Sequence, residues 1–180
     1  MRAYLALGGN LGDRIANIRQ GVERLRATPG IRVVESSCLY ETEPVGMAES
    51  QADWFLNVAL CVETELEPQE LLSACLSIER TLGRERAETS LSAGYESRVL
   101  DIDILFYGNL IIREEALSIP HPRLQERAFM LVPMLELAPD LMHPVSGKTL
   151  QELHLALEAP EEVLLLDTLM IDLDAAPTPT

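Results

Sequence analysis

Two hydrophobic periodicities alternate along the first 107 residues, and their order limits the folds open to the chain. Residues 3–7 (AYLAL) read as a short buried strand. Ile15, Ile18, Val22 and Leu25 then recur at helical spacing, in a helix running to about Ala27 and ended by Thr28-Pro29-Gly30. Residues 31–40 read as a second strand, and Glu41 to Gln51, with Pro44 and Gly46 inside it, as a loop. The stretch 54–63 (WFLNVALCVE) alternates as a third strand. Trp54, Leu56, Val58, Leu60 and Val62 fall on one face, Phe55, Asn57, Ala59 and Cys61 on the other. A second helix opens at Pro68 and stops at Gly83, with Leu71, Cys75, Ile78 and Leu82 as its buried stripe.

After a polar stretch the fourth strand is VLDIDILFY, residues 99–107. Leu100, Ile102, Ile104 and Phe106 share one face, Asp101 and Asp103 the other. A hairpin follows around Gly108-Asn109, then helices near 127–137 and 149–157. The order β-α-β-β-α-β with added C-terminal helices predicts a ferredoxin-like α+β sandwich, an antiparallel sheet with two helices on one face. The 180 residues suffice for one domain, placed at 1–160. Residues 161–180 read as an acidic, flexible tail, although LLLDTLMIDL could add a strand.

The two aspartates carry the sharpest chemical signal. Asp is a poor strand former, and two carboxylates on one strand face repel each other unless a cation sits beside them. Hard oxygen ligands suit Mg²⁺, which takes one or two carboxylates and completes its shell with water and phosphate oxygens. A bare D-x-D on a solvated strand face would mean nothing. Here Arg80, Arg84, Arg86 and Arg98 lie just before it, and guanidinium groups bind phosphate oxygens in pairs. His121 is held between two prolines, which fixes its ring. Glu79, on the inner edge of its helix, either reaches this site or anchors Arg84 or another base. The turn GGNLGDR (8–14) lacks the P-loop lysine and is read first as a tight turn.

The net charge of −15 argues against a nucleic-acid partner. No apolar run is long enough for a membrane span, and no signal peptide is evident, so a cytoplasmic location is expected. No obligate protein partner is indicated. Cys38, Cys61 and Cys75 sit among apolar residues and read as core thiols.

In order along the chain, LALGGNLGDR (5–14), LYETEPVG (39–46), FLNVAL (55–60), ELLSACLSIERTLGRER (70–86), SRVLDIDILFYGN (97–109) and IPHPRLQERAFMLVPMLELAPDL (119–141) resemble the 6-hydroxymethyl-7,8-dihydropterin pyrophosphokinases. The resemblance covers roughly residues 3–155 and includes R-x-x-D-[IL]-D and P-H-x-R-x-x-x-R-x-F. It implies a ferredoxin-like fold and Mg²⁺-dependent transfer of diphosphate from ATP to a pterin alcohol, releasing AMP, in folate biosynthesis. It implies that Asp101 and Asp103 hold two Mg²⁺ ions, and that Arg84 and Arg98 are catalytic. ATP would meet Glu79, Arg84, Arg86, Arg98, Ile102, His121 and Arg127. The pterin would lie between Phe55 and Phe129, against Asp101 and Asn57 and the main chain of Thr42, Pro44 and Val45. The loop 87–97 would be a lid over the phosphates.

Overall fold

The computed structural model describes residues 1–43, 54–83 and 98–167. Strand β1 (Arg2–Gly9) leads into helix α1 (Arg14–Ala27), whose first turn is capped by Asp13 Oδ1 accepting the Ala16 N–H at 3.0 Å. Strands β2 (Ile31–Ser36) and β3 (Leu39–Thr42) follow, then β4 (Phe55–Thr64) and helix α2 (Pro68–Thr81). Glu67 and Glu70 form a capping box at the start of α2. Strand β5 (Asp101–Tyr107) and a short hairpin, β6 (Ile112–Arg113) and β7 (Ser118–Ile119), precede helices α3 (Ala128–Leu137) and α4 (Leu150–Leu155). Strand β8 (Val163–Asp167) is the last described element.

The main sheet runs β5-β1-β4-β3-β8, with β2 also paired to β4, and every pairing is antiparallel. Helices α1 and α2 close one face over Leu5, Leu7, Leu56, Val58, Leu60, Val62 and Ile102. The ferredoxin-like α+β expectation is met. The expected C-terminal helices are present as well: Met130, Leu131 and Met134 of α3 and Leu150 and Leu153 of α4 cover part of the opposite face, over Ala59 and Cys61. The uncovered part of that face is the end bearing Asp101, Asp103 and Asn57.

Several local expectations are corrected. The strand expected over 31–40 is broken at Ser37-Cys38, where the Ser37 Oγ takes the Ala59 N–H that a ladder partner would have taken. Trp54 precedes β4 instead of joining its core face. Ile15 is 37% exposed, while Gly21 packs inward so tightly that a Cβ there would come 2.6 Å from Leu100 Cδ2. A register shift in the β1–β5 pairing, between Tyr4 and Leu5, puts Leu105 and Phe106 together in the core under α3. Phe106 therefore lies on the face opposite to Ile102 and Ile104, because a bulge resets the two-residue alternation. Asp101 and Asp103 precede the shift and keep their shared face. The strand that LLLDTLMIDL could add is present in part, as Val163–Asp167 paired with β3.

Cys61 and Cys75 are buried and Cys38 is half-buried. Among the described residues no helix is long and apolar enough to cross a membrane.

Candidate active site

Three strands supply the floor of a cavity of about 300 Å³. Asp101 of β5 stands opposite Gly8 of β1, and Gly8 opposite Asn57 of β4. One row on, Asp103, Ala6 and Ala59 are aligned. The aspartates, two apart on one strand, are about 7 Å apart, and Asp101 and Asn57 about 10 Å apart across the intervening strand. Between them the floor carries almost no side chain. A Cβ on Gly8 would come 2.4 Å from Asn57 Oδ1, so any other residue at position 8 would have to displace the Asn57 side chain. Asn57 is itself fixed, donating from Nδ2 to the buried Thr42 Oγ1 at 2.7 Å.

Phe55, Arg98, His121, Arg127 and Phe129 complete the lining, with Pro122 and Arg123. The Arg127 guanidinium carbon lies 5.4 Å from the Phe129 ring centroid, within cation–π range. The His121 segment is pinned to β5 by its backbone N–H, which donates to the Leu105 carbonyl at 3.0 Å. Pro44, Val45, Arg84, Arg86 and the loop 87–97 lie outside the described residues.

Arg98 donates from Nη1 to Asp101 Oδ2 at 2.5 Å. Its backbone is gripped by the first turn. The Asn10 and Leu11 N–H groups donate to the Arg98 carbonyl at 2.9 and 3.2 Å, and the Arg98 N–H donates to Asn10 Oδ1 at 2.8 Å. The turn read as a tight turn thus positions an arginine. Glu79 is 1% exposed, and its Oε1 accepts the Ile102 N–H at 2.7 Å. Strand β5 is the sheet edge, so this N–H has no ladder partner, and a side chain from α2 supplies one. The Ile102 side chain lies in the main core, turned away from the cavity by strand alternation.

Burial first, then the charges of Asp101 and Glu79, push the Asp103 carboxyl up to about 7, with Arg98 and Arg127 opposing. Burial and the Arg127 charge push His121 down to about 4, against the pull of Asp101. The imidazole is therefore neutral at pH 7. The Arg123 N–H donates to its Nδ1 at 3.3 Å, so the ring proton sits on Nε2. Unfolded, the histidine takes a proton below about 6.5, while in the fold it resists until about 4. Its contribution to stability is present above pH 6.5 and lost as the pH falls from 6.5 toward 4. Melting temperatures of His121→Gln should accordingly rise relative to the unsubstituted protein across that interval; a difference independent of pH would refute the assignment.

Two further supports were not singled out beforehand. Asn10 is one. Arg14 is the other: Nη1 donates to the Trp54 carbonyl and Nη2 to Glu41 Oε1, both at 2.6 Å. It ties together the chain just before Thr42 and just before Phe55.

A family model described as 7,8-dihydro-6-hydroxymethylpterin-pyrophosphokinase (HPPK) matches residues 4–139. The chain belongs to this family. An HPPK of Methylorubrum extorquens, named 2-amino-4-hydroxy-6-hydroxymethyldihydropteridine pyrophosphokinase, is 48% identical over 151 residues, 84% of this chain and 90% of that one. A Bacillus subtilis protein of the same name is 41% identical over 151 residues, 83% of this chain and 86% of that one. The Plasmodium falciparum HPPK-DHPS structure superposes with a TM-score of 0.66 at 16% identity, over 85% of this chain. This chain spans 44% of that two-part protein, and at such identity the likeness concerns the fold alone. The expected family is borne out, and this HPPK is a diphosphotransferase.

Proposed function

We propose that this HPPK transfers diphosphate from ATP to the hydroxymethyl group of 6-hydroxymethyl-7,8-dihydropterin in the cytoplasm, releasing AMP, with two Mg²⁺ ions held by Asp101 and Asp103. One observation carries the reading: a carboxylate pair and a pair of phenylalanines line the same 300 Å³ cavity. A flat, polar-edged ring suits two aromatic walls and a fixed amide, and a metal-bound polyphosphate suits carboxylates beside arginines.

The donor set fits Mg²⁺. No cluster of three or more metal-ligating side chains occurs among the described residues, which accords with an ion that takes one or two carboxylates and shares the substrate's oxygens. Asp103, whose carboxyl is pushed up to about 7 by burial and by the charges of Asp101 and Glu79, has the unbalanced field that a divalent cation relieves. When bound, Mg²⁺ supplies charge neutralisation across the phosphates.

The protein's own groups position the reactants. Phe55 and Phe129 sandwich the pterin, and Asn57, with the main chain of Thr42, Pro44 and Val45, reads its polar edge. Arg98 and Arg127 hold phosphate oxygens, joined by Arg84 and Arg86 from the neighbouring segment. Neutral His121 donates from Nε2 to a phosphate oxygen. Glu79 aligns the strand at Ile102. In the reaction the pterin hydroxyl oxygen bonds to the β-phosphorus, the bond from that phosphorus to the α–β bridging oxygen breaks, and AMP keeps the bridging oxygen. The hydroxyl proton passes to solvent. No covalent enzyme intermediate is needed, because orientation and charge neutralisation supply the barrier reduction.

The decisive assay follows AMP from ATP. AMP should form only when both Mg²⁺ and the reduced pterin alcohol are present. Tight pterin binding without AMP would mean a binding module on this fold and would end the catalytic reading.

A further inference from the structure

The family match stops at residue 139, but two consecutive residues beyond it bond Phe129 of the cavity lining and Glu43, the neighbour of the Thr42 that holds Asn57. Phe129 lies in the first turn of α3, where backbone N–H groups have no partner within the helix. Arg127, the residue preceding the helix, gives no side-chain cap. The partner comes from Glu161, whose Oε1 accepts the Phe129 N–H at 2.9 Å. A carboxylate there also meets the positive end of the helix dipole. The next residue turns to the other wall: the Glu162 carbonyl accepts the Glu43 N–H at 3.0 Å, and Val163 pairs with Thr42, which fixes Asn57.

We propose that Glu161 is a positioning residue for the pterin site, fixing the Phe129 backbone so that its ring is held at a set distance from the Asn57 side. The proposal rests on the reading of Phe129 as a pterin wall. Glu161 touches no substrate. Its carboxylate acts through one hydrogen bond, and the segment 161–163 makes the spacing of the two walls depend on a stretch outside the family core. The effect should fall on pterin and spare ATP, because the phosphate-side residues Arg98 and Asp101 are held separately, through Asn10.

The test uses Glu161→Ala, Glu161→Gln and Phe129→Ala in the full chain, reading KM for pterin, KM for ATP and melting temperature. Glu161→Ala should raise the pterin KM about 5- to 10-fold with the ATP KM within about twofold. Glu161→Gln keeps an acceptor oxygen and should restore the pterin KM to within about twofold of the unsubstituted protein. A pterin KM unmoved by Glu161→Ala but raised by Phe129→Ala would overturn the inference alone. A pterin KM unmoved by Phe129→Ala would overturn the pterin wall and the inference with it. Equal rises in both KM values with a lowered melting temperature would mean a general structural role and also refute it. Glu161→Gln behaving like Glu161→Ala would refute the hydrogen bond as its cause.

Discussion

Asp101→Ala and Asp103→Ala should each lower kcat/KM by about 10³-fold, the equivalent of roughly 4 kcal/mol of transition-state stabilisation. The carboxylates stand on the floor with no side chain between them and Asn57, so no neighbour can take over their place. The fold should survive, because both side chains face the cavity and Ile102 and Ile104 keep their core contacts. Asp103→Asn should go further and stabilise the ligand-free protein. Folded Asp103 titrates near 7 against an ordinary 3.8, so in that interval the folded state holds a proton that the unfolded chain has lost. Stability then falls as the pH rises from about 4 to about 7, and the amide removes that loss. At pH 7.5 a gain of about 2–6 °C in melting temperature is expected, together with loss of turnover. The gain should shrink toward pH 4. Near-normal turnover in both alanine variants would sink the metal assignment.

Arg98→Ala should lower kcat/KM by about 10²- to 10³-fold, with Arg98→Lys recovering little of it. A lysine has no planar fork with which to hold a phosphate while also bonding Asp101. The loss should appear with saturating pterin, when only ATP handling is being read. Asn10→Ala should reproduce part of it, since it removes the Oδ1 that accepts the Arg98 N–H while leaving the backbone bond to the Arg98 carbonyl in place. Steady-state kinetics with ATP varied would check both, and an Arg98→Ala enzyme within threefold of normal would remove the arginine from the mechanism.

What could be read from the sequence was what depends on local spacing. Strand alternation placed Asp101 and Asp103 together, and the helical stripe placed Glu79 inward, where it is 1% exposed. Alternation failed at Phe106, since a bulge depends on how β5 registers against β1, a partner about 100 residues away. The break at Ser37-Cys38 was hidden for the same reason: the Ser37 hydroxyl bonds Ala59. Asn10, Arg14 and Glu161 act on residues distant in the chain, and each looks like an ordinary turn or surface residue on its own. The leucines of β8 had strand character, but only the exposed edge of β3 makes them a strand of this sheet.

The bare floor at Gly8 bears on how the protein could evolve under an inhibitor. A compound that settles between Asp101 and Asn57 rests on main chain, which substitution does not alter. A side chain at residue 8 would have to displace Asn57 Oδ1, and with it the amide that the proposed pterin contact uses. The flanking positions are those that the proposed reaction uses. Resistance to such a compound would have to come from residues that set the walls at a distance, among them Arg14 and Glu161, and not from the surface it touches.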